Sequence, residues 1–352
     1  MTQRKIRVLI VEDSAVSREL LTHILQSDPE IEVAGMARDG EEAIAETLRL
    51  KPDVITMDIH MPKLNGFDTT RRIMEMQPVP IIIVSSSADP NDVQKAFRVM
   101  DAGAVAILET PRGTAHPEHN WMAAKLVRTV KLMSEIKVVK RWRRTPPRAT
   151  KPPQSVQLLS ATRSFELVAI GASTGGPAVL HSILGSIQKF PPVPILIVQH
   201  IASGFVQGFA DWLAHSTGLP VHLANHGDKP QAGHVYVAPD GHHMVMDNTG
   251  RIALRADPPE NGLRPAVSPF FNSVAQVFGD RAIGILLTGM GRDGADGLKA
   301  MRDRGAVTIA QDQQSSVVYG MPGAAVKLEA AAYVLPPAQI TATLDSLLHP
   351  AK

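Results

Sequence analysis

Glu166-Leu167-Val168-Ala169-Ile170-Gly171-Ala172-Ser173-Thr174-Gly175-Gly176-Pro177 decides the fold of the second half of the chain. An apolar run enters a turn of small residues, and Pro177 suits the first turn of a helix. The pattern predicts a strand over Glu166–Ile170, a tight glycine turn and then a helix. Further strands are expected at Ile195–Gln199, Val221–Leu223, Ala282–Leu287 and Val307–Ala310. Strands that alternate with helical stretches imply a mostly parallel sheet covered on both faces. Val235–Ala238, His243–Met246 and Ile252–Leu254 are separated by turn residues without a helix, which predicts an antiparallel ribbon at a sheet edge.

The first half repeats the alternation. Candidate strands are Arg7–Val11, Glu32–Met36, Val54–Met57, Pro80–Val84 and Ala104–Leu108, with Leu20, Leu21, Ile24 and Leu25 at helical spacing between the first two. A last helix is expected from Trp121 to about Lys140. The fold class is therefore α/β, with two doubly wound domains and an antiparallel insert in the second. Between Lys131 and Lys151 stand eight basic residues and one acid, with Pro146-Pro147 and Pro152-Pro153 at its end. Paired prolines favour extended chain and stop a helix. The expected division is a domain over 1–143, a linker over 144–164 and a second domain over 165–352.

Composition narrows the function. At 352 residues with 44% hydrophobic and 20% charged residues, the chain reads as globular. Thirty-six basic against 34 acidic residues leave a net charge of +2, too balanced for a nucleic-acid binder. With no cysteine, disulfides, thiolate zinc sites and cysteine nucleophiles are excluded. No apolar run approaches the ~18 residues of a membrane span. Met1-Thr2-Gln3-Arg4-Lys5 leads straight into a strand, so no leader peptide, no membrane insertion and a cytoplasmic location are expected.

Three residues of the second half fall on one sheet edge. Ser173 follows the first strand, His200 ends the next, and Asp293 lies in Thr288-Gly289-Met290-Gly291-Arg292-Asp293-Gly294, directly after a third. A serine needs a base to act as nucleophile, and a carboxylate can hold the base in the right tautomer. The chain order Ser, His, Asp matches none of the three familiar triad orders. Each residue also reads as ordinary structure: a helix cap, a strand-end histidine, another cap. A phosphate cradle at the same glycine turn would lack the P-loop lysine, and no acid follows the second strand. Gly233-His234 and Gly241-His242-His243 suggest metal only weakly, because adjacent strand residues point to opposite faces.

In the first half Glu12-Asp13 and Asp58 end two parallel strands. Carboxylates that converge there repel one another, and Mg²⁺ suits such a set. Ser85, ending the fourth strand, can hydrogen-bond a phosphate. The alternative is a group of helix caps and solvated acids.

Val11-Glu12-Asp13-Ser14, Met57-Asp58-Ile59-His60-Met61-Pro62, Asn65-Gly66, Val84-Ser85-Ser86 and Gly103-Ala104 resemble a response-regulator receiver domain. The resemblance implies a flavodoxin-like fold with Asp58 phosphorylated by a histidine kinase. Glu12, Asp13, Asp58 and the His60 carbonyl would hold Mg²⁺, with Ser85 as the switch hydroxyl. One departure is clear: Thr110, in Leu108-Glu109-Thr110-Pro111, stands where the family has lysine, and Ile107 stands at its aromatic switch position.

Gly171-Ala172-Ser173-Thr174-Gly175-Gly176, Val198-Gln199-His200, Gly233 to Pro239, Arg264-Pro265, Leu287 to Gly294 and Tyr319-Gly320-Met321-Pro322-Gly323 resemble the bacterial chemotaxis protein-glutamate methylesterases. That resemblance implies a phosphorylation-regulated hydrolase of glutamate methyl esters on chemoreceptors, which also deamidates glutamines. Ser173 would attack, His200 act as base and Asp293 orient it. Thr174 and Met290 would form the oxyanion site, Arg264 would bind substrate, and the esterase reaction needs no cofactor. The unphosphorylated receiver of the family covers the esterase cleft. Two other classes compete: a non-enzymatic adaptor that only binds receptors, and a DNA-binding regulator, for which no short helix-turn-helix is evident.

Overall fold

The structure, a computed structural model, describes residues 4–85, 97, 99–100, 102–136, 163–187 and 190–349. Its contacts divide the chain into two compact units, Met1–Thr145 and Pro146–Lys352. Apart from 163 and 164, the segment expected as a linker over 144–164 lies outside the described residues, as does the last helix of the first half beyond 136.

In the first unit, β1 (Ile6–Val11), β2 (Ile31–Ala37), β3 (Val54–Met57), β4 (Ile81–Ser85) and β5 (Ala106–Glu109) form one sheet in the order β2-β1-β3-β4-β5. All its pairings are parallel. Every residue of β3 and β4 is buried, as befits parallel strands with both faces covered. Among the described residues, the helices with defined bounds are α1 (Ala15–Gln26), α2 (Gly40–Leu50), α3 (Gly66–Met76) and α4 (His119–Ser134). Local chemistry starts three of them: the side chains of Ser14, Asp39 and Asn65 accept first-turn N–H groups of α1, α2 and α3. Leu21, Ile24 and Leu25 form the buried stripe of α1.

In the second unit a seven-stranded sheet runs β14-β13-β12-β6-β7-β9-β8. In chain order these are β6 (Leu167–Ala172), β7 (Ile195–Gln199), β8 (Val221–Leu223), β9 (Val235–Val237), β12 (Ala282–Leu286), β13 (Val307–Gln311) and β14 (Tyr333–Leu335). Its helices are α5 (Gly176–Leu184), α6 (Val206–Thr217), α7 (Val267–Phe278), α8 (Ala295–Asp303), α9 (Met321–Lys327) and α10 (Pro337–Leu348). The antiparallel pair is β10 (His243–Met246) with β11 (Ile252–Arg255), a separate two-stranded sheet.

This corrects one expectation. Val235–Val237 does not belong to the ribbon; it lies parallel to both β7 and β8 in the main sheet. Its crossover from β8 carries no helix, so the alternation that marks a parallel strand is missing there. The ribbon turns Met244, Met246 and Ile252 into the same core as Phe270, Phe271 and Val274 of α7 and Leu286 of β12. Removing one such phenyl ring costs about 3–5 kcal/mol. Packing against the ribbon therefore fixes α7, whose first turn bears on the site.

Candidate functional site

β6 lies between β7 and β12, so the carboxyl ends of three neighbouring strands meet. Ala172 pairs with Gln199, which sets Ser173 beside His200 at the next position of each strand end. The N–H of His200 donates to the Ala172 carbonyl at 2.9 Å and that of Ser173 to the Thr288 carbonyl at 3.0 Å. Gly175, at φ 79°, turns the chain into α5 and aims that helix's free N–H groups at the serine turn. Gly289 has no room for a side chain: a Cβ there would stand 2.6 Å from the Ser173 Cβ and collide with the Met321 sulfur.

Asp293 reaches His200 from the loop after β12. Its Oδ2 lies 2.9 Å from Nε2 of His200, with both side chains almost fully buried. The oxygen sits off the N–H axis, so the pair makes no well-aligned hydrogen bond. Burial pushes the Asp293 carboxyl up, but the His200 ring, the Val267 N–H and Ser268 outweigh it and hold its pKa at about 2. Beside this group, the N–H groups of Thr174 and Met290 donate to no acceptor among the described residues. Arg264 instead donates to the carbonyls of Ala256 and Asp257, both at 3.1 Å, in its own loop.

In the first unit the carboxylate oxygens of Glu12, Asp13 and Asp58 lie within 4.8 Å of one another. Burial and the negative charge of Asp58 raise the Glu12 pKa to about 7. Burial raises Asp58 to about 6, against the Ile59 N–H and His60, which lower it. No lysine or arginine is among the main influences on Asp58. Such uncompensated carboxylate oxygens are the donor set a hard divalent cation takes, so the residues present fit Mg²⁺. Ser85 is buried at the end of β4, and its carbonyl accepts the Thr110 N–H at 3.0 Å. Arg112, the next cation along the chain, is ion-paired with Glu109 at 3.1 Å and bonded to His116 at 3.0 Å.

The family profile described as CheB methylesterase matches residues 168–344, and that of the response regulator receiver domain matches residues 8–115. A protein-glutamate methylesterase/protein-glutamine glutaminase of Syntrophus aciditrophicus is 53% identical over 97% of this chain and 98% of its own. The chain belongs to the CheB methylesterase family. It is an enzyme, a carboxylic ester hydrolase joined to a receiver domain. A Nitrosospira multiformis protein of the same printed name is also 53% identical, over 97% of each chain. The CheB methylesterase catalytic domain of Thermotoga maritima matches with a TM-score of 0.51 and 35% identity, over 53% of this chain and all of that one.

Within this methylesterase unit, sequence reasoning missed the buried residues that brace the site. Gln199 spans it from below: its Nε2 donates at 2.9 Å to the carbonyls of both Ser173 and His200. The Thr288 hydroxyl donates to the Thr174 carbonyl and accepts the Val318 N–H, both at 2.9 Å, while Gln311 accepts the Thr288 N–H at 2.8 Å. A signal existed for Gln199, a polar residue closing the apolar run Ile195-Leu196-Ile197-Val198. The histidines weighed for metal are otherwise engaged. His243 is buried, with Nδ1 accepting the Ala266 N–H and Nε2 meeting the Pro258 carbonyl, both at 3.2 Å. His234 pairs with His222 at 2.8 Å.

Proposed function

We propose that the second unit hydrolyses glutamate methyl esters on chemoreceptors, and deamidates glutamines there, through Ser173, His200 and Asp293. The observation that carries this reading is the Asp293–His200 contact of 2.9 Å at the strand end paired with that of Ser173. Ser173 Oγ attacks the ester carbonyl carbon while His200 takes its proton. The developing oxyanion is met by the Thr174 and Met290 N–H groups; one such donor is worth about 10²–10³ in rate. Methoxide leaves as methanol with the proton from His200. Water then attacks the acyl-serine, again through His200, giving glutamate and free Ser173. With glutamine the leaving group is ammonia. Asp293 stabilises the imidazolium in each step and, with a pKa of about 2, does not take the proton itself. Arg264 is the candidate contact to receptor substrate.

In the same reading the first unit accepts a phosphoryl group on Asp58 from a histidine kinase in the cytoplasm. The Asp58 carboxylate attacks phosphorus, and the P–N bond to the kinase imidazole breaks. Glu12, Asp13 and Asp58 would hold Mg²⁺, which shields the charge of the incoming phosphoryl group. Ser85 and Thr110 would meet the phosphate oxygens, and the acyl phosphate would relieve inhibition of the esterase. The domains of the reading are 1–143 and 165–352, joined by the Pro-rich basic segment. The test is methanol release from methylated receptor by Ser173→Ala. Loss of release with an unchanged melting temperature is expected; near-normal turnover would overturn the serine mechanism.

A further inference from the structure

Asp293 is held by more than His200. Its Oδ2 accepts the Val267 N–H at 2.6 Å, and its Oδ1 accepts both the N–H of Ser268 at 3.0 Å and the Ser268 hydroxyl at 2.8 Å. The same hydroxyl oxygen accepts the Gly294 N–H at 2.8 Å. A serine hydroxyl has one proton to give. With the Gly294 N–H pointing at the oxygen, that proton is committed to the carboxylate. The result is a one-way chain from Gly294 N–H through Ser268 Oγ–H to Asp293 Oδ1. Ser268 and Asp293 are each 5% exposed, so water has little access to replace a lost link.

Capping α7 does not require this hydroxyl. Its N-cap residue, Ala266, offers no side-chain acceptor, and Asp293 supplies one from another segment. The Asp293 oxygens already accept the Val267 and Ser268 N–H groups at that helix end. What the hydroxyl adds is a second donor on Oδ1 alone. Two donors on Oδ1, against one on Oδ2, fix the rotation of the carboxylate about its own bond and leave Oδ2 to face Nε2.

We propose that Ser268 is a positioning residue for the esterase reaction, locking the Asp293 carboxylate in the rotation that meets the His200 imidazolium. The proposal rests on the assignment of Ser173, His200 and Asp293 as the reacting group. Without the hydroxyl the carboxylate rocks, and the Gly294 N–H is left buried without an acceptor. Charge-assisted bonds of this kind are worth about tenfold in an equilibrium, and the loss falls in kcat because the imidazolium exists only along the reaction path.

The test measures kcat and KM for methanol release from methylated receptor by the full-length protein. Ser268→Ala is expected to lower kcat about tenfold with KM within about twofold. Ser268→Cys keeps the size but offers a weak donor, so its kcat falls as well; it serves if the alanine variant does not fold. In an Asp293→Ala background, Ser268→Ala is expected to change kcat less than about twofold, because the hydroxyl acts through that carboxylate. Wild-type kcat in both Ser268 variants would overturn the proposal. So would an equal fold-loss with and without Asp293, the mark of a merely structural serine. If Asp293→Ala itself turns over normally, the triad assignment has failed instead, and the proposal falls with it.

Discussion

Each unit brings carboxylates to the carboxyl edge of a parallel sheet, and the two edges hold them in opposite electrostatic states. Glu12 and Asp58 are pushed up to about 7 and about 6, by burial first and by neighbouring negative charge. Asp293 is just as deeply placed yet is held at about 2. The difference is in the partners. Asp293 receives three donors from Val267 and Ser268 and faces the His200 ring. Glu12 receives one backbone N–H, from Ser14 at 3.2 Å, and faces two other acids. A carboxylate with its own donors serves as a permanent charge. A carboxylate among other carboxylates waits for a cation from outside.

The contrast is broken most severely by neutralising one acid on each edge. Asp293→Asn is expected to lower kcat for methanol release by about 10⁴, because the amide favours the wrong imidazole tautomer. Asp58→Asn is expected to leave unphosphorylated turnover within about twofold and to remove any response to a phosphodonor. Equal losses in the two variants would mean that the edges are not functionally distinct. The measurement is methanol release with and without a small phosphodonor.

A smaller effect concerns Thr110. The main influences on Asp58 include no lysine or arginine, and Arg112 is engaged with Glu109. Thr110→Lys supplies an ammonium, and one charge-assisted bond shifts the ratio of active to blocked protein by about ten- to a hundredfold. The wild-type gain on phosphorylation is therefore expected to be small and the variant's larger. A large wild-type gain, unchanged in the variant, would show that another cation already serves.

The smallest effect is on stability. Raised folded pKa values mean that Glu12 and Asp58 contribute fully below their ordinary pKa values of 4.5 and 3.8 and lose that contribution as pH rises through 6 and 7. Without divalent ions the first unit is expected to melt about 10 °C lower at pH 8 than at pH 5. Mg²⁺ should restore the difference at pH 8 and do little at pH 5. Asp293 runs the other way: its contribution is present above 3.8 and is lost as pH falls through about 2. Calorimetry of the full chain at pH 5 and pH 8, with and without Mg²⁺, checks the first sign, and a comparison of pH 5 with pH 2 checks the second.

Much of the fold and the placement of the functional side chains is legible in the residues. The runs of β3, β4, β6 and β7 are buried on both faces, so continuous apolar stretches announce them, and the functional side chains follow those runs directly. The sequence pattern groups β9 with the ribbon because no helix precedes it, and β14 is a three-residue strand with one buried residue, too short for a pattern. Ser268 had no local signal. It lies 25 residues from Asp293, and tertiary packing of α7, on the ribbon and on α8, brings the two together. The electrostatic contrast was equally hidden, since spacing shows which acids converge but not which donors meet them.

The most direct measurement is methanol release from methylated chemoreceptor by the wild-type chain, with and without a small phosphodonor and Mg²⁺. Release is expected in both states, with a gain that requires Mg²⁺ and Asp58. No release in either state, or a gain that survives Asp58→Asn, would contradict that expectation.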